Sequence, residues 1–267
     1  MDDMDIHDMI AKQNGGQNMK IGITERGDAA LDFSWFNKLS DCDGAILITK
    51  NITNAFGHKL LQAHNAGNKI ILHCTCTGWG GTNVEPDVPD YAIQLRSLSR
   101  LTTVFPKDQT VLRIDPIIPD KNGLTRVESV LKVAFDMGLL PNIRVRVSLL
   151  DNYKHVQERF RQNGMPVLYN GQFQCSGDQI AAVRELFEKY NVKCECCAEP
   201  GLTGPNFEQI GCISYRDIGI LGLQNKGYNG EQNPQNRHGC LCLDCKTELL
   251  ENRTRCGHNC LYCYWKG

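Results

Sequence analysis

Three cysteines near the end of the sequence have a spacing that suits metal chemistry. Cys256, Cys260 and Cys263 form a C-x3-C-x2-C run, and the aromatic Tyr262 comes just before the last cysteine. Three thiolates on one tight loop can bind three irons of a [4Fe–4S] cluster and leave the fourth iron open. The spacing therefore predicts a cluster with one open iron, and we expect Tyr262 to pack beside it.

An open iron of this kind is used by radical S-adenosylmethionine (SAM) enzymes. In them the amino and carboxyl groups of SAM bind the open iron, and an electron from the cluster splits the sulfonium to give a 5′-deoxyadenosyl radical. The cofactor carries out the chemistry, and the protein positions it and excludes water. The motif thus favours an iron–sulfur enzyme that receives electrons from a reductant protein such as a flavodoxin or ferredoxin.

The same cysteines also permit a zinc site. Cys242-x2-Cys245 and Cys260-x2-Cys263 are separated by 14 residues, which is close to a zinc-ribbon spacing. His238 and His258 are spare ligands for such a site. In this second hypothesis, zinc closes a poorly packed tail of a non-enzymatic binding protein. A third hypothesis is an electron-transfer protein whose iron–sulfur clusters have four cysteine ligands each.

The composition argues against some classes of protein and favours others. The 267 residues contain 29 Lys+Arg and 30 Asp+Glu, a net charge of −1, which argues against a generally polybasic nucleic-acid binder. Ten of the 14 cysteines lie between Cys194 and Cys263. The polar N-terminal segment lacks the apolar region of a signal peptide, and no apolar run is long enough to span a membrane. We therefore expect a cytoplasmic protein whose reduced thiols bind metal.

The elements that must position these residues alternate between strand-like and helix-like patterns. Nearly continuous apolar runs predict strands, and amphipathic segments predict helices. Short connections between such elements imply a parallel sheet, and the number of units favours a TIM-like (β/α) barrel. The predicted strands are Lys20–Thr24, Ala45–Thr49, Lys69–Cys74, Val111–Asp115, Ile143–Leu149 and Val192–Cys197; the predicted helices are Phe56–Ala66, Tyr91–Leu101, Thr125–Met137, Tyr153–Gln162 and Gln179–Tyr190.

The chain divides into three parts by composition. We expect a flexible tail over residues 1–18, a barrel body over 19–197, and a Cys-rich segment over 198–267 that completes the same domain. Residues 198–240 are rich in Gly, Asn, Gln and Pro. We therefore expect the C-terminal quarter to be organised by metal rather than by a large apolar core.

Functional residues of a parallel barrel lie at the C-terminal ends of its strands. By this rule the candidate site residues are Arg26 and Asp28 after the first strand, Lys50 after the second, and Thr77 and Gly80 in the Gly-rich loop after the third. Arg26 and Asp28 can bind SAM or a substrate, or form an ion pair at a strand end. Backbone N–H groups of the Gly-rich loop can contact a carboxylate or ribose, although a short Gly run also suits a simple turn.

Arg113 and Asp115 lie on one face of the fourth predicted strand, because side chains alternate along a strand. If that face is interior, the two must pair or bind a ligand, since unpaired buried charge is costly. We predict that Arg113 and Asp115 are catalytic residues.

Several segments together resemble the domain of unknown function 1848 family, which is grouped with radical-SAM proteins similar to spore photoproduct lyase. They include residues 21–39, 45–52, 75–89, 111–117 and 147–153, the C-terminal C-L-C run and the last cysteine motif. The most specific parts are the EP-x-VP run, which contains Glu85, the R-x-DPI run and the C-x3-C-x2-C motif. The resemblance implies radical-SAM chemistry, with Glu85 among the cofactor-binding residues and a nucleobase or nucleic acid as substrate.

The resemblance also implies a second cluster, because Cys197, Cys212, Cys240 and Cys242 match other recurrent cysteines of the family. Cys245 is then either spare or a competing ligand. Radical-SAM barrels usually carry the three-cysteine loop after their first strand. Its position at the end of this sequence therefore implies a circularly permuted barrel. The usual Gly-Gly-Glu run that holds the SAM amino group is not found in the sequence.

Overall fold

The structure is a computed structural model that describes residues 19–232, 239–251 and 256–265. The predicted tail, residues 1–18, and the spare ligand His238 lie outside the described residues.

Eight strands form one sheet in which every neighbouring pair is parallel, in the order β7-β6-β5-β4-β3-β2-β1-β8. The α/β class and the parallel sheet are therefore confirmed. The strands are β1 Ile21–Ile23, β2 Gly44–Thr49, β3 Ile70–Thr75, β4 Thr110–Ile117, β5 Arg144–Leu149, β6 Cys194–Cys196, β7 Phe207–Gln209 and β8 Lys246–Glu248.

The strand order bears on the predicted barrel. The strands β1 to β7 lie side by side in chain order, and the last strand, β8, pairs with β1. A (β/α) barrel has this order and closes when its remaining two strands pair. Within the described residues β7 and β8 are the two ends of the sheet and do not pair with each other. Closure of the barrel therefore stays a prediction.

Seven α-helices accompany the sheet in the described part of the chain. Side-chain caps explain where several of them begin: Thr53 accepts a hydrogen bond from the backbone N–H of Phe56, and Ser176 forms a capping box with Gln179. No described helix is both long enough and apolar enough to cross a membrane. The helices are α1 Ser34–Lys38, α2 Asn54–Asn65, α3 Tyr91–Leu101, α4 Lys121–Asp136, α5 Lys154–Gln162, α6 Gly177–Lys189 and α7 Tyr215–Ile220.

The two faces of the sheet differ, because successive side chains of a strand point to opposite sides. One face packs against α1–α4 and α6 through residues such as Leu47, Leu72, Leu112 and Val145. The opposite face, here called the site face, is apolar at β1–β3, where Ile21, Ile46 and Ile71 pack against Ile213, Ile218 and Leu221. On β4–β6 the site face carries Arg113, Asp115, Arg146 and Glu195.

The C-terminal quarter contains secondary structure and buried apolar residues. It contributes β7, α7 and β8, and its residues Ile213, Leu221, Leu223 and Leu243 are buried in an apolar cluster on the site face. The expectation that metal organises this segment stays a prediction, and the structure adds an apolar contribution that the sequence did not indicate. Strands of three residues are too short to show an alternating pattern, and the apolar residues of this segment are scattered singly between polar ones.

Candidate functional site

One cavity collects most of the predicted site residues. It has a volume of about 180 Å³ and lies where β1, β2 and β4 end, beneath residues 256–265, here called the terminal loop. Side chains from positions more than 200 residues apart meet here because parallel strands end at one edge of the sheet. The lining includes Arg26, Asp28, Lys50, Arg113, Asp115, Cys256, Cys260, Tyr262 and Cys263.

The terminal loop is held by hydrogen bonds to three separate segments. The Leu261 N–H donates to the Val84 carbonyl oxygen at 2.9 Å, and the Asp151 N–H donates to Tyr264 Oη at 2.7 Å. Arg159 on α5 donates from Nε to the Leu261 carbonyl oxygen at 2.9 Å. Burial raises the pKa of the Cys260 thiol to about 12. A metal that binds Cys260 must therefore displace its proton.

His258 joins the terminal loop to the end of β1. Its Nε2 lies 2.7 Å from Asp28 Oδ2, and its Nδ1 lies 3.1 Å from the Asp87 carbonyl oxygen. Both ring nitrogens of His258 therefore lie within hydrogen-bond distance of an oxygen atom. Asp28 also accepts from Thr49 Oγ1 at 2.7 Å and from the Lys50 N–H at 2.6 Å. Sequence reasoning treated His258 only as a spare zinc ligand and missed this pairing.

Lys50 lines the cavity, and its ammonium group contacts Glu85 and Tyr262. Its Nζ lies 2.8 Å from Glu85 Oε1 and 2.8 Å from Tyr262 Oη, and Tyr262 also donates to Glu85. Glu85 is 1% exposed and accepts from Thr77 Oγ1 at 2.8 Å. Burial opposes the charge of Lys50, but Glu85 outweighs it and raises the pKa of Lys50 to about 12. Lys50 therefore stays protonated at neutral pH.

Arg113 and Asp115 pair across the opposite wall of the cavity. Arg113 Nε donates to Asp115 Oδ2 at 2.5 Å, and Ser148 Oγ donates to Asp115 Oδ1. Burial opposes the ionisation of Asp115, but the charge of Arg113 outweighs it and lowers the pKa of the carboxyl group. Arg113 Nη1 is buried and has no hydrogen-bond partner among the described residues. Arg113 and Asp115 therefore pair, as we expected if both charges face the interior. The Nη1 group of Arg113 remains available as a hydrogen-bond donor.

The Gly-rich loop lies behind the cavity, and neither Thr77 nor Gly80 is part of its lining. Thr77 reaches the site only through Glu85. A Cβ on Gly80 would overlap the Pro89 carbonyl oxygen and lie 2.8 Å from its carbonyl carbon. Gly80 thus permits close backbone packing at this point, and the structure offers no evidence that it contacts a cofactor.

A second thiol group lies on the site face. The Sγ atoms of Cys197, Cys212 and Cys242 all lie within 4.8 Å of one another, and all three residues are buried. Cys197 Sγ is 3.0 Å from Cys212 Sγ, and the Cys212 N–H donates to Cys242 Sγ at 3.1 Å. Hydrogen bonds from Cys197 and Cys212 lower the pKa of Cys242. The three sulfurs form a buried site whose donors are of the kind that metal ions accept.

Cys240 and Cys245 lie in different surroundings. Cys240 packs with the second thiol group, and the Cys242 N–H lies 3.5 Å from its Sγ. Cys245 instead lies in the apolar cluster of Ile21 and Leu243. The structure does not bring the four cysteines of the zinc-ribbon hypothesis together, since Cys242 belongs to the second thiol group and Cys260 to the terminal loop. The four cysteines of the predicted set, Cys197, Cys212, Cys240 and Cys242, pack together in one buried group of residues.

Comparison with known protein families gives one match. The family described as a domain of unknown function, number 1848, matches residues 35–265. The chain belongs to the domain of unknown function 1848 family. The matched region of this family member runs from α1 to the terminal loop and contains both thiol groups. None of the curated proteins matches the chain.

Proposed function

We propose that this protein is a radical-SAM-type enzyme whose terminal loop binds a [4Fe–4S] cluster through Cys256, Cys260 and Cys263. The observation that carries the proposal is the cavity in which these three cysteines meet charged residues of three different strand ends. A cluster held by these cysteines would supply an electron, received from a reductant protein, for the reductive cleavage of SAM.

The donor set of the terminal loop suits a cluster better than a single ion. Three cysteines of one short loop line the same cavity. Their Sγ atoms are not all within 4.8 Å of one another, whereas those of the second thiol group are. A single tetrahedral ion needs sulfurs in close contact, but a cluster binds each thiolate through a different iron. Three cysteine ligands also leave one iron open for SAM.

The charges of the cavity suit the amino-acid part of SAM, which carries a carboxylate and an ammonium group. Lys50 stays protonated and Asp115 stays ionised at neutral pH, for the reasons given above. Arg113 offers its buried Nη1 as a further donor. We assign Lys50 and Arg113 to carboxylate binding, and Asp115 to orientation of Arg113 and of the ammonium group.

Other residues close the site. The Arg26 guanidinium carbon lies 4.6 Å from the centre of the Trp265 ring, which is a cation–π contact at the cavity wall. Asp28 and His258 fix the terminal loop to β1. These contacts link the terminal loop, which carries the three cysteines, to the segment after β1. On the family resemblance we propose a substrate that contains a nucleobase, and a one-electron donor such as a flavodoxin or ferredoxin.

The test uses protein purified anaerobically. We expect about four irons and four sulfides at the terminal loop, an absorption band that bleaches with dithionite, and formation of 5′-deoxyadenosine from SAM. Cys260→Ala should abolish SAM cleavage, whereas Cys42→Ala, at a cysteine outside both thiol groups, should leave it intact. Protein with zinc, no sulfide and no SAM cleavage would overturn the proposal.

A second candidate function follows from the second thiol group. Three buried sulfurs within 4.8 Å of one another are compatible with a metal that only stabilises the fold of a binding protein. In that case wild-type protein should bind metal without sulfide, and substitution of Cys260 should leave its metal content unchanged.

A further inference from the structure

The second thiol group lies where the sheet is open. Cys197 directly follows β6, Cys212 comes three residues after β7, and Cys242 comes four residues before β8. β7 and β8 are the two ends of the sheet and do not pair within the described residues. The three sulfurs therefore lie close together although they belong to three segments, which follow β6, follow β7 and precede β8.

The backbones of these segments touch at the same place. The Leu243 N–H donates to the Ile213 carbonyl oxygen at 3.1 Å. A Cβ on Gly211 would lie 2.6 Å from the Cα of Cys242, so the two segments approach too closely for a side chain at this position. Among the described residues, the Leu243–Ile213 backbone hydrogen bond and the thiol group cross the gap, and no strand ladder does.

We propose that Cys197, Cys212 and Cys242, with Cys240 as the fourth ligand, bind a single tetrahedral zinc ion that links the two ends of the sheet. None of these residues belongs to the terminal loop, so the proposal is independent of SAM chemistry. It replaces the second iron–sulfur cluster that the family resemblance implies with a structural metal ion.

The sulfur distances favour one ion over a cluster. Zinc–sulfur bonds of ~2.3 Å in a tetrahedron place neighbouring sulfurs about 3.8 Å apart. The three sulfurs of the second thiol group are all within 4.8 Å of one another, and the Cys197–Cys212 distance of 3.0 Å needs only a small expansion. In a cluster each cysteine binds its own iron, so these sulfurs would have to separate further. Cys240 packs in the same buried group, and the Cys242 N–H lies 3.5 Å from its Sγ, so it is the nearest candidate for the fourth ligand.

Nearby cations can balance the charge of four thiolates. Arg146 Nη1 donates to the Cys212 carbonyl oxygen at 3.0 Å. Arg113 interacts electrostatically with Cys212 and Cys197. Outer partners of this kind orient metal ligands and stabilise them. Zinc bound here would contribute its binding free energy to folding, because the unfolded chain has no preformed site.

The test separates the two thiol groups. The triple variant Cys256→Ala/Cys260→Ala/Cys263→Ala removes the ligands of the terminal loop, so that its remaining metal belongs to the second group. We expect about one zinc per chain and no acid-labile sulfide. Several irons with matching sulfide would show a cluster and overturn the proposal, and absence of any bound metal would also overturn it. Failure of SAM chemistry in wild-type protein leaves this result unaffected.

Variants in the triple background locate the zinc. Cys242→Ser should lose the zinc and lower the melting temperature, whereas Cys245→Ser, three residues further on in the apolar cluster, should keep it. Equal zinc content in the two variants would contradict the proposal. If Cys242→Ser does not fold, replacement of zinc by Co²⁺ in the triple variant gives a second measurement. Visible bands of a tetrahedral cobalt thiolate support the site, and the pale spectrum of octahedral cobalt contradicts it.

Discussion

His258 and Asp28 are separated by 230 positions in the sequence, yet His258 Nε2 lies 2.7 Å from Asp28 Oδ2. Both side chains are buried, with 3% and 2% of their surfaces exposed. The histidine stands between Cys256 and Cys260, so the pair fixes the middle of the terminal loop to the first strand end. The position of two candidate metal ligands therefore depends on a buried contact between His258 and Asp28.

We predict that Asp28→Asn destabilises the protein by about 1–3 kcal/mol, because the buried carboxylate accepts hydrogen bonds from Thr49 and Lys50 and contacts His258, and an amide cannot replace all of these contacts. Urea unfolding of the metal-free protein measures this loss, and iron content after reconstitution should fall in parallel. Asp136→Asn, at the exposed end of α4, is the matched control, with an expected change of at most about 0.5 kcal/mol. Equal stability of the two variants would mean that the pair does not anchor the loop.

Glu85→Gln should also be costly, because Glu85 is 1% exposed and faces the Lys50 ammonium at 2.8 Å. Removal of one partner of a buried ion pair costs about 3–5 kcal/mol. Glu208→Gln provides the comparison, since the Glu208 side chain is 54% exposed and pairs with Arg216 at the surface, where such pairs contribute about 0–1 kcal/mol. Urea midpoints of the two variants that agree within error would refute the prediction.

Gly80→Ala tests the packing role of the Gly-rich loop. The new methyl group would meet the Pro89 backbone, which cannot move away as a side chain can, and we expect a loss of about 1–3 kcal/mol. Gly57→Ala on α2 meets nothing within 4 Å and should stabilise the protein by about 0.5–1 kcal/mol, because alanine favours helices. Melting temperatures that shift in opposite directions support the prediction, and a neutral Gly80→Ala variant contradicts it.

The Glu195 carboxylate should make stability depend on acid pH. Burial raises its pKa, but the charge of Arg146 and the hydrogen bonds and charge of Arg144 outweigh burial and leave the pKa below its ordinary value. The stabilisation is therefore complete above the unfolded-state pKa of ~4.3 and is lost as the pH falls through the lower folded-state pKa. Glu195→Gln should cost about 3–5 kcal/mol at pH 6.

The difference between wild type and Glu195→Gln should shrink as the pH approaches 3, because the wild-type carboxyl group is then protonated too. Urea unfolding at both pH values measures the change. A difference that stays constant with pH would show that Glu195 acts through shape rather than charge.

The sequence predicted the central part of the fold because buried parallel strands carry continuous apolar runs. All six predicted strands correspond to β1–β6, with ends that differ by a few residues, and α3 has the predicted bounds Tyr91–Leu101. The same rule failed at β7, α7 and β8. These elements are too short to carry a period, and they form only because the edges of an existing sheet and the apolar site face are there to receive them.

Cysteine spacing by itself determined that Cys256, Cys260 and Cys263 share one loop, because the chain between them is too short to separate them. Strand-end rules likewise indicated Arg26, Asp28, Lys50, Arg113 and Asp115, which line one cavity. Only the tertiary structure decided which distant thiols meet. Cys197, Cys212 and Cys242 converge, Cys245 does not, and His258 pairs with Asp28. Local sequence sets what neighbouring residues can do together, whereas contacts between distant residues follow from the strand order and from the face on which each side chain lies.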